Sequence, residues 1–251
     1  MTTSAPPASP KARFTLAHRV PPAEGEYRWV YLWGWPIRAM HWVAVLSIIL
    51  LVITGLYIGN PWFSTAGDTG FLMGWMRFIH LAAAGAFVAT AIVRIYWLFA
   101  GNRFERITAL FPLRPRDWVN MFRQMKFYLM IRPDEAPKYL GHNPLQQLSY
   151  TGIYVTAVLM VLTGFAMYGQ SNPDGIFYTL FNWVNVLFGG GPVVRFVHHV
   201  LMWVFVIFVP IHVYLAIRAD NLERTGTISS IISGGRFVNP AEEYEDGEGT
   251  L

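Results

Sequence analysis

Five histidines lie in or next to long apolar stretches of the sequence. They are His41, His80, His198, His199 and His212. An ionisable side chain is costly in an apolar environment, so such residues usually have a function there. A neutral imidazole can bind a metal through one ring nitrogen while the other nitrogen donates a hydrogen bond. These side chains are therefore the first candidates for chemistry.

Two of the histidines share one face of a single predicted helix. His198 and His212 are 14 positions apart, which on an α-helix is a rise of about 21 Å and a rotation about 40° short of four turns. His199 is rotated by about 100° from His198, so only one of them can share the face of His212. The spacing selects His198. We predict that His199 supports a ligand or lies at an interface.

Four apolar stretches are long enough to position these side chains within a lipid bilayer. A hydrocarbon core of about 30 Å needs about 20 residues of helix, because no water is available there to satisfy the backbone. The predicted spans are residues 39–58, 78–99, 148–168 and 193–217. A fifth stretch, residues 177–188, is too short to cross, and we predict that it lies at the surface or re-enters between the last two spans.

The composition also favours a membrane protein. Of the 251 residues, 54% are hydrophobic and 14% are charged, whereas about 25% are charged in soluble domains. Cysteine is absent from the sequence, which excludes disulfides, cysteine-held iron–sulfur clusters and covalently attached c-type haem. The net charge of +4 does not indicate nucleic-acid binding, because the basic residues lie between the spans. Residues 1–36 lack the pattern of a secretory signal, and residues 1–10 are predicted to be disordered.

The positions of Lys and Arg predict the orientation, because cytoplasmic loops retain basic residues. Basic residues precede the first span, follow the fourth and occur between the second and third. The other two connections, residues 59–75 and 169–192, contain no Lys or Arg. Both termini are thus predicted to be cytoplasmic. The predicted parts are a cytoplasmic tail (1–36), a transmembrane domain (37–218) and a second cytoplasmic tail (219–251).

This orientation predicts which histidines face each other. His41 begins the first span and His212 lies late in the fourth, so both lie at cytoplasmic depth. His80 begins the second span and His198 lies early in the fourth, so both lie at periplasmic depth. Two facing imidazoles suit the axial positions of haem iron, and haem is flat and apolar enough to lie inside a helix bundle. The predicted fold is an all-α membrane protein, a four-transmembrane-helix bundle that binds two b-type haems on the pairs His41/His212 and His80/His198.

A proton relay without haem is the alternative interpretation, since intramembrane ionisable residues also mark proton paths. It gives no reason for two pairs matched in depth. Small residues at 82–86, Gly55 and Gly164 allow a macrocycle to approach, but they equally serve helix packing. Four arginines near span ends suit haem propionates and equally suit the membrane interface; they are Arg38, Arg77, Arg94 and Arg195.

Short motifs are distributed over nearly all of the chain, from about Trp35 to Val238. They are PIRAMHW at 36–42, TG at 54–55, MRFIH at 76–80, RIYW at 94–97, GN at 101–102, GHNP at 141–144, TGF at 163–165, HHVLMW at 198–203, HVY at 212–214 and TIS at 227–229. Together they resemble the cytochrome b subunit of membrane-bound nickel–iron uptake hydrogenases. The gamma subunit of formate dehydrogenase is similar to the same design.

This resemblance implies a dihaem membrane anchor that passes electrons from a periplasmic nickel–iron hydrogenase to the quinone pool. The implied haem ligands are His41, His80, His198 and His212. The implied partners are the small and large hydrogenase subunits, the lipid bilayer and quinone, with the chain in the bacterial inner membrane. Family members often have Arg where this chain has His199.

Hydrogen splitting is expected on the partner subunits, because this chain has no cysteine to bind nickel. The two connections without Lys or Arg, including residues 189–191, are predicted to form the docking surface. The alternative functions are a gamma-type subunit of formate dehydrogenase or another respiratory complex, and a stand-alone cytochrome that oxidises quinol.

The segment before the third span is the predicted quinone site. It offers hydrogen-bond donors and acceptors at cytoplasmic depth, next to the haem on His41 and His212. By resemblance, the candidate contacts of a quinone carbonyl are His142, Asn143, Gln147 and Tyr214. The alternative is that Asn143 caps the third helix and the other three lie at the membrane interface.

Overall fold

Helices make up most of the chain in the computed structural model, which describes residues 27–63, 71–112, 114–129, 137–240 and 242–247. The predicted disorder at residues 1–10 falls outside these ranges. The helices are α1 (Trp35–Gly59), α2 (Phe71–Ala100), α3 (Pro115–Tyr128), α4 (Pro144–Gly169), α5 (Ile176–Phe188), α6 (Gly191–Glu223) and α7 (Thr227–Ser233), with a short 3-10 helix at Ile107–Ala109. Two strands, β1 (Arg28–Tyr31) and β2 (Gly235–Val238), complete the described elements.

Four of these helices, α1, α2, α4 and α6, are long and apolar enough to cross a membrane. Each contains one predicted span, so the predicted number of spans is confirmed within the described residues. Their outer faces expose large apolar side chains, such as Ile92 on α2 and Ile207 on α6. Exposure of this kind along whole helix faces is what a lipid environment requires.

Proline and local caps define several helix starts. Proline lies within the first two positions of α1, α3, α4 and α6, where the missing backbone N–H costs nothing because that donor has no partner inside the helix. Asn143 caps α4: its side chain accepts a hydrogen bond from the backbone N–H of Gln146 at 2.9 Å. The Gln146 side chain accepts one from the Asn143 backbone N–H at 3.0 Å. This reciprocal pair fixes where α4 begins.

The long helices pack in two groups. Helix α1 packs along α2, while α4 packs against α5 and α6; α1 also contacts α6. Helix α5 buries Val184 against Ala166 of α4 and Val194 of α6, and it leaves Ile176 and Leu187 exposed. The two groups thus face each other across the interior of the bundle.

A small folded cap closes the end of the bundle at which α1 begins and α6 ends. Strands β1 and β2 are antiparallel, with Trp29 opposite Phe237. Residues from distant parts of the chain form the apolar core of this cap; they are Val30, Leu32, Phe104, Leu140, Val238 and Tyr244. The segments 1–36 and 219–251 were predicted as cytoplasmic tails, without elements of their own. The structure pairs a strand from each, and α6 continues to Glu223.

Candidate haem site

His80 on α2 and His198 on α6 lie in the half of the bundle away from the cap, close enough for their charged forms to repel each other. Each ring is held by a threonine of a different helix. Nδ1 of His80 lies 2.9 Å from Oγ1 of Thr54 on α1, and Nδ1 of His198 lies 2.8 Å from Oγ1 of Thr163 on α4. The two imidazoles therefore have equivalent surroundings.

The threonine hydroxyls determine which ring nitrogen carries hydrogen. The Thr54 hydroxyl donates to the carbonyl oxygen of Leu50 at 2.6 Å, and the Thr163 hydroxyl donates to that of Leu159 at 2.7 Å. A hydroxyl has one hydrogen, so its oxygen then accepts from the ring. Nδ1 of each ring therefore carries the hydrogen of this contact. In the neutral imidazole that hydrogen is the only one on the ring nitrogens, so the lone pair of Nε2 is free to bind a metal.

A glycine follows each of these threonines and leaves room for the ring. A Cβ added to Gly55 would lie 3.3 Å from Cε1 of His80, and one added to Gly164 would lie 3.5 Å from Cε1 of His198. The Thr-Gly pairs of α1 and α4 thus hold one histidine each. The sequence left open whether Gly55 and Gly164 serve macrocycle approach or helix packing; in the structure they accommodate imidazoles.

His41 on α1 and His212 on α6 lie nearer the cap and are also close enough for their charged forms to repel each other. Nδ1 of His41 is buried without a hydrogen-bond partner in the described part of the chain. The His212 ring stacks on Phe208, with ring centres 5.6 Å apart and planes inclined by 16°. The structure thus brings the four histidines together as two pairs at two levels.

His199 packs against a different residue, Gly59 at the end of α1. A Cβ added to Gly59 would lie 2.6 Å from Cε1 of His199, so its ring packs closely on the backbone at the end of α1. Among the described residues, no group of three or more His, Cys, Asp or Glu side chains is placed to hold a metal ion. Two imidazoles at each level fit haem, because the porphyrin itself supplies the four other ligands of the iron.

Comparison with known proteins agrees with this chemistry. Residues 32–234 match the family described as prokaryotic cytochrome b561. The chain belongs to this family. Membership of a cytochrome b family implies haem b as cofactor. Together with the four long apolar helices, it shows that this cytochrome is a multi-pass membrane protein.

Relatives of this cytochrome cover most of its length. The probable Ni/Fe-hydrogenase B-type cytochrome subunit of Azotobacter vinelandii is 40% identical over 214 residues, which are 83% of this chain and 88% of that relative. The protein of the same name in Rhizobium leguminosarum bv. viciae is 37% identical over 220 residues, 85% of this chain and 91% of the relative. The probable Ni/Fe-hydrogenase 1 B-type cytochrome subunit of Escherichia coli (strain K12) is 34% identical over 213 residues, 82% and 90% of the two chains.

The arginines near the span ends of this cytochrome differ in their surroundings. Arg94 is buried; it donates to the hydroxyl of Tyr154 at 3.2 Å and to the backbone oxygen of Glu105 at 3.0 Å. It is thus engaged in holding the cap. Arg38 donates to the backbone oxygen of Ile232. The remaining two, Arg77 and Arg195, are exposed.

His142, one of the predicted quinone contacts, is partly buried between two aromatic rings. Its ring centre lies 4.8 Å from that of Trp33 and 4.9 Å from that of Tyr150. Burial lowers the pKa of His142 to about 3, and the positive charges of Arg94 and Arg236 act in the same direction. His142 is therefore neutral at ordinary pH. Its Nδ1 has no hydrogen-bond partner among the residues described.

Gln147 lies beside His142, and Tyr150 connects this region to the histidine pair near the cap. Nε2 of Gln147 donates to the backbone oxygen of His142 at 3.4 Å, while its buried Oε1 has no partner within the described ranges. The ring of Tyr150 lies 6.5 Å from that of His212. Tyr150 was not predicted. The sequence could have indicated it, because Tyr150 comes three residues after Gln147 and so lies on the same face of α4.

The two other predicted quinone contacts lie elsewhere. Asn143 caps α4, and its Nδ2 also donates to the hydroxyl of Tyr128 at 3.3 Å. Tyr214 is 58% exposed on α6. The C-terminal segment holds the backbone just before His142, because the Asp246 carboxylate accepts from the N–H groups of Leu140 and Gly141 at 2.6 and 2.8 Å. The structure therefore brings His142 and Gln147 together and leaves Tyr214 apart.

Proposed function

We propose that this chain is the dihaem membrane anchor of a nickel–iron hydrogenase and connects that enzyme, on the periplasmic side, with the quinone pool. The observation that carries the proposal is the arrangement of four histidines as two pairs at two levels of the bundle. The relatives named B-type cytochrome subunits of Ni/Fe-hydrogenases, at 34–40% identity, support the hydrogenase as partner.

His80 with His198, and His41 with His212, are the proposed axial ligands. Haem bound there supplies one-electron redox chemistry at two depths. The chain itself orients the imidazoles and excludes water from between the helices. At the level of His80 and His198, the threonine contacts place the hydrogen of each neutral ring on Nδ1 and leave Nε2 for a metal, which supports ligation at these positions.

The proposed orientation puts the cap in the cytoplasm and α5 at the periplasmic side of the bacterial inner membrane. It rests on the distribution of Lys and Arg, which are absent from the sequence segments 59–75 and 169–192, because cytoplasmic loops retain basic residues. Helix α5 and residues 189–191 belong to this end of the bundle. We assign them to the docking surface for the hydrogenase subunits.

The proposed quinone contacts are His142 and Gln147. A neutral imidazole can donate a hydrogen bond to a quinone carbonyl, and an amide oxygen can accept one from a quinol hydroxyl. Both residues carry a buried polar atom that has no partner in the described chain, and Tyr150 lies between them and His212. Asn143 and Tyr214 are not included, because the first caps a helix and the second is exposed.

Purification of the intact complex in mild detergent tests this proposal. We expect two haem b per chain by the pyridine haemochrome assay, co-purifying hydrogenase subunits by mass spectrometry, and hydrogen-dependent reduction of a soluble quinone. Replacement of His142 by Phe should lower quinone reduction while both haems remain. If formate dehydrogenase co-purified, or if the haem protein purified without a partner, the hydrogenase would be the wrong partner. If the purified chain were colourless, the proposed haem function would be wrong.

A further inference from the structure

We propose that two threonines, Thr54 and Thr163, position the axial imidazoles of one haem and lower its reduction potential below that of the other. This inference rests on the assignment of His80 and His198 as haem ligands in the proposed function. It adds two positioning residues on α1 and α4, helices that would otherwise only surround the site.

The contacts form a repeated arrangement. In each case a helix presents a threonine whose hydroxyl donates to its own helix, to Leu50 at 2.6 Å or Leu159 at 2.7 Å. If the hydroxyl donated to the imidazole instead, the hydroxyl and carbonyl oxygens would face each other at that distance without a hydrogen between them. Threonine is also restricted at χ1, so the acceptor oxygen has little freedom to move. The geometry therefore defines donor and acceptor at both contacts.

Two contact points fix the orientation of each ring. The hydroxyl oxygen lies 2.9 Å from Nδ1 of His80, and the backbone of the next residue, Gly55, approaches Cε1, where a Cβ would lie at 3.3 Å. His198 has the same two neighbours in Thr163 and Gly164. A ring held at adjacent atoms cannot rotate freely, so Nε2 is aimed before any ligand binds.

The hydrogen bond also changes the donor strength of the ring. When Nδ1–H donates, electron density at Nε2 rises, and a more basic ligand favours the oxidised form of iron. Both imidazoles of this level have such an acceptor. At the other level, Nδ1 of His41 has no acceptor among the residues the structure describes. The lower potential therefore belongs to the level farther from the cap, and this asymmetry favours electron movement toward the cap.

Redox titration of the purified complex tests the inference. The variants are Thr54→Val, Thr163→Val and the double variant, which keep the side-chain shape and remove the acceptor. We expect both haems to be retained, and the midpoint potential of one haem to rise in each single variant and further in the double variant. That haem is identified as the one whose spectrum is lost in His80→Ala. The other haem should keep its potential.

Two comparisons separate this role from a structural one. Thr156→Val on α4 is the matched control. Thr156 is buried, and its hydroxyl donates to the backbone oxygen of Gly152 at 2.8 Å; among the described residues it makes no hydrogen bond to a histidine. It should leave both potentials unchanged. Thr54→Ser and Thr163→Ser restore the acceptor and should restore the wild-type potential, and they decide the question if a valine variant loses haem.

The inference is overturned if the valine variants keep both wild-type potentials, if both haems shift alike, or if the potential falls. The inference would also be overturned if serine variants that retain haem had midpoint potentials different from those of the wild type. If His80→Ala and His198→Ala keep two haems, the ligand assignment itself is wrong. If they lose one haem and the valine variants show no shift, only the threonine role is rejected.

Discussion

The carboxylate of Glu105 accepts a hydrogen bond from the backbone N–H of Gly34 at 2.5 Å, and this contact joins the start of α1 to the segment after α2. The same side chain, 2% exposed, accepts from Nε1 of Trp97 at 2.9 Å and from the backbone of Asn102 at 3.1 Å. A negative charge is stabilised at a helix N-terminus, where backbone N–H groups lack partners. Glu105 therefore links the helix that carries His41 to the cap.

Replacing Glu105 by Ala should destabilise the protein and loosen the site near the cap. Three partly buried donors lose their acceptor, and a fully buried group left unsatisfied costs about 1–3 kcal/mol. We expect a clear fall in the thermal midpoint, followed by tryptophan fluorescence in detergent, and weaker retention of the haem near the cap than of the other. Glu243→Ala changes an exposed glutamate of the same cap and should have no effect. Equal midpoints for the two variants would contradict this role.

The four long helices could be predicted because length and apolar composition are local properties of the sequence. Their ends were less predictable. Helix α2 starts at Phe71 rather than residue 78, and α6 continues to Glu223 rather than ending at 217, because helices extend beyond the apolar core into the interface. The cap could not be predicted, since its strands pair residues such as Trp29 and Phe237 from opposite ends of the chain.

The candidate site was predictable to the level of histidine pairs, since rotation and depth on a helix follow from spacing. The ligand assignment stays a prediction. What spacing did not indicate is the contact between helices: Thr54 with His80, and Thr163 with His198. Thr-Gly occurs five times in the sequence, so the dipeptide alone did not single out residues 54–55 and 163–164. Only the packing of α1 on α2 and of α4 on α6 shows that each hydroxyl meets a ring nitrogen.

Single replacements of the four paired histidines by Ala should each remove one haem. An axial imidazole lost from a buried site is not replaced by water in an apolar interior, so that site loses its haem. We expect the haem content per chain, by pyridine haemochrome, to fall from two to one in His41→Ala, His80→Ala, His198→Ala and His212→Ala. His199→Ala is the control and should keep both, because His199 packs on Gly59. A haem lost from His199→Ala with His198→Ala intact would reverse the assignment.

Substitutions of glycine by alanine should show a graded effect on haem binding. The Cβ of Gly55→Ala would lie 3.3 Å from Cε1 of His80, closer than an ordinary contact, so the ring must move and haem retention should fall. In Gly164→Ala the distance is 3.5 Å, and we expect a smaller loss. Gly152→Ala on α4 is the control, since beyond its own helix backbone no described atom lies within 4 Å of the added Cβ. The haem content after gel filtration measures the order of the variants; a loss in Gly152→Ala equal to that in Gly55→Ala would refute the steric explanation.

His142 should make the protein less stable in acid. Its pKa is lowered by burial to about 3 in the folded protein, against 6.5 for an ordinary histidine. Above pH 6.5 the imidazole is neutral in both states, and its contribution is fully present. As the pH falls from 6.5 toward 3, the unfolded chain binds a proton that the folded one does not, so stability is lost, by about 2 kcal/mol at pH 5.

The thermal midpoint of His142→Phe should therefore fall less between pH 7 and pH 5 than that of the wild type. Gln147→Leu alters the same surroundings without removing a titratable group and should keep the wild-type dependence on pH. If His142→Phe also kept it, the imidazole would not be buried in its neutral form.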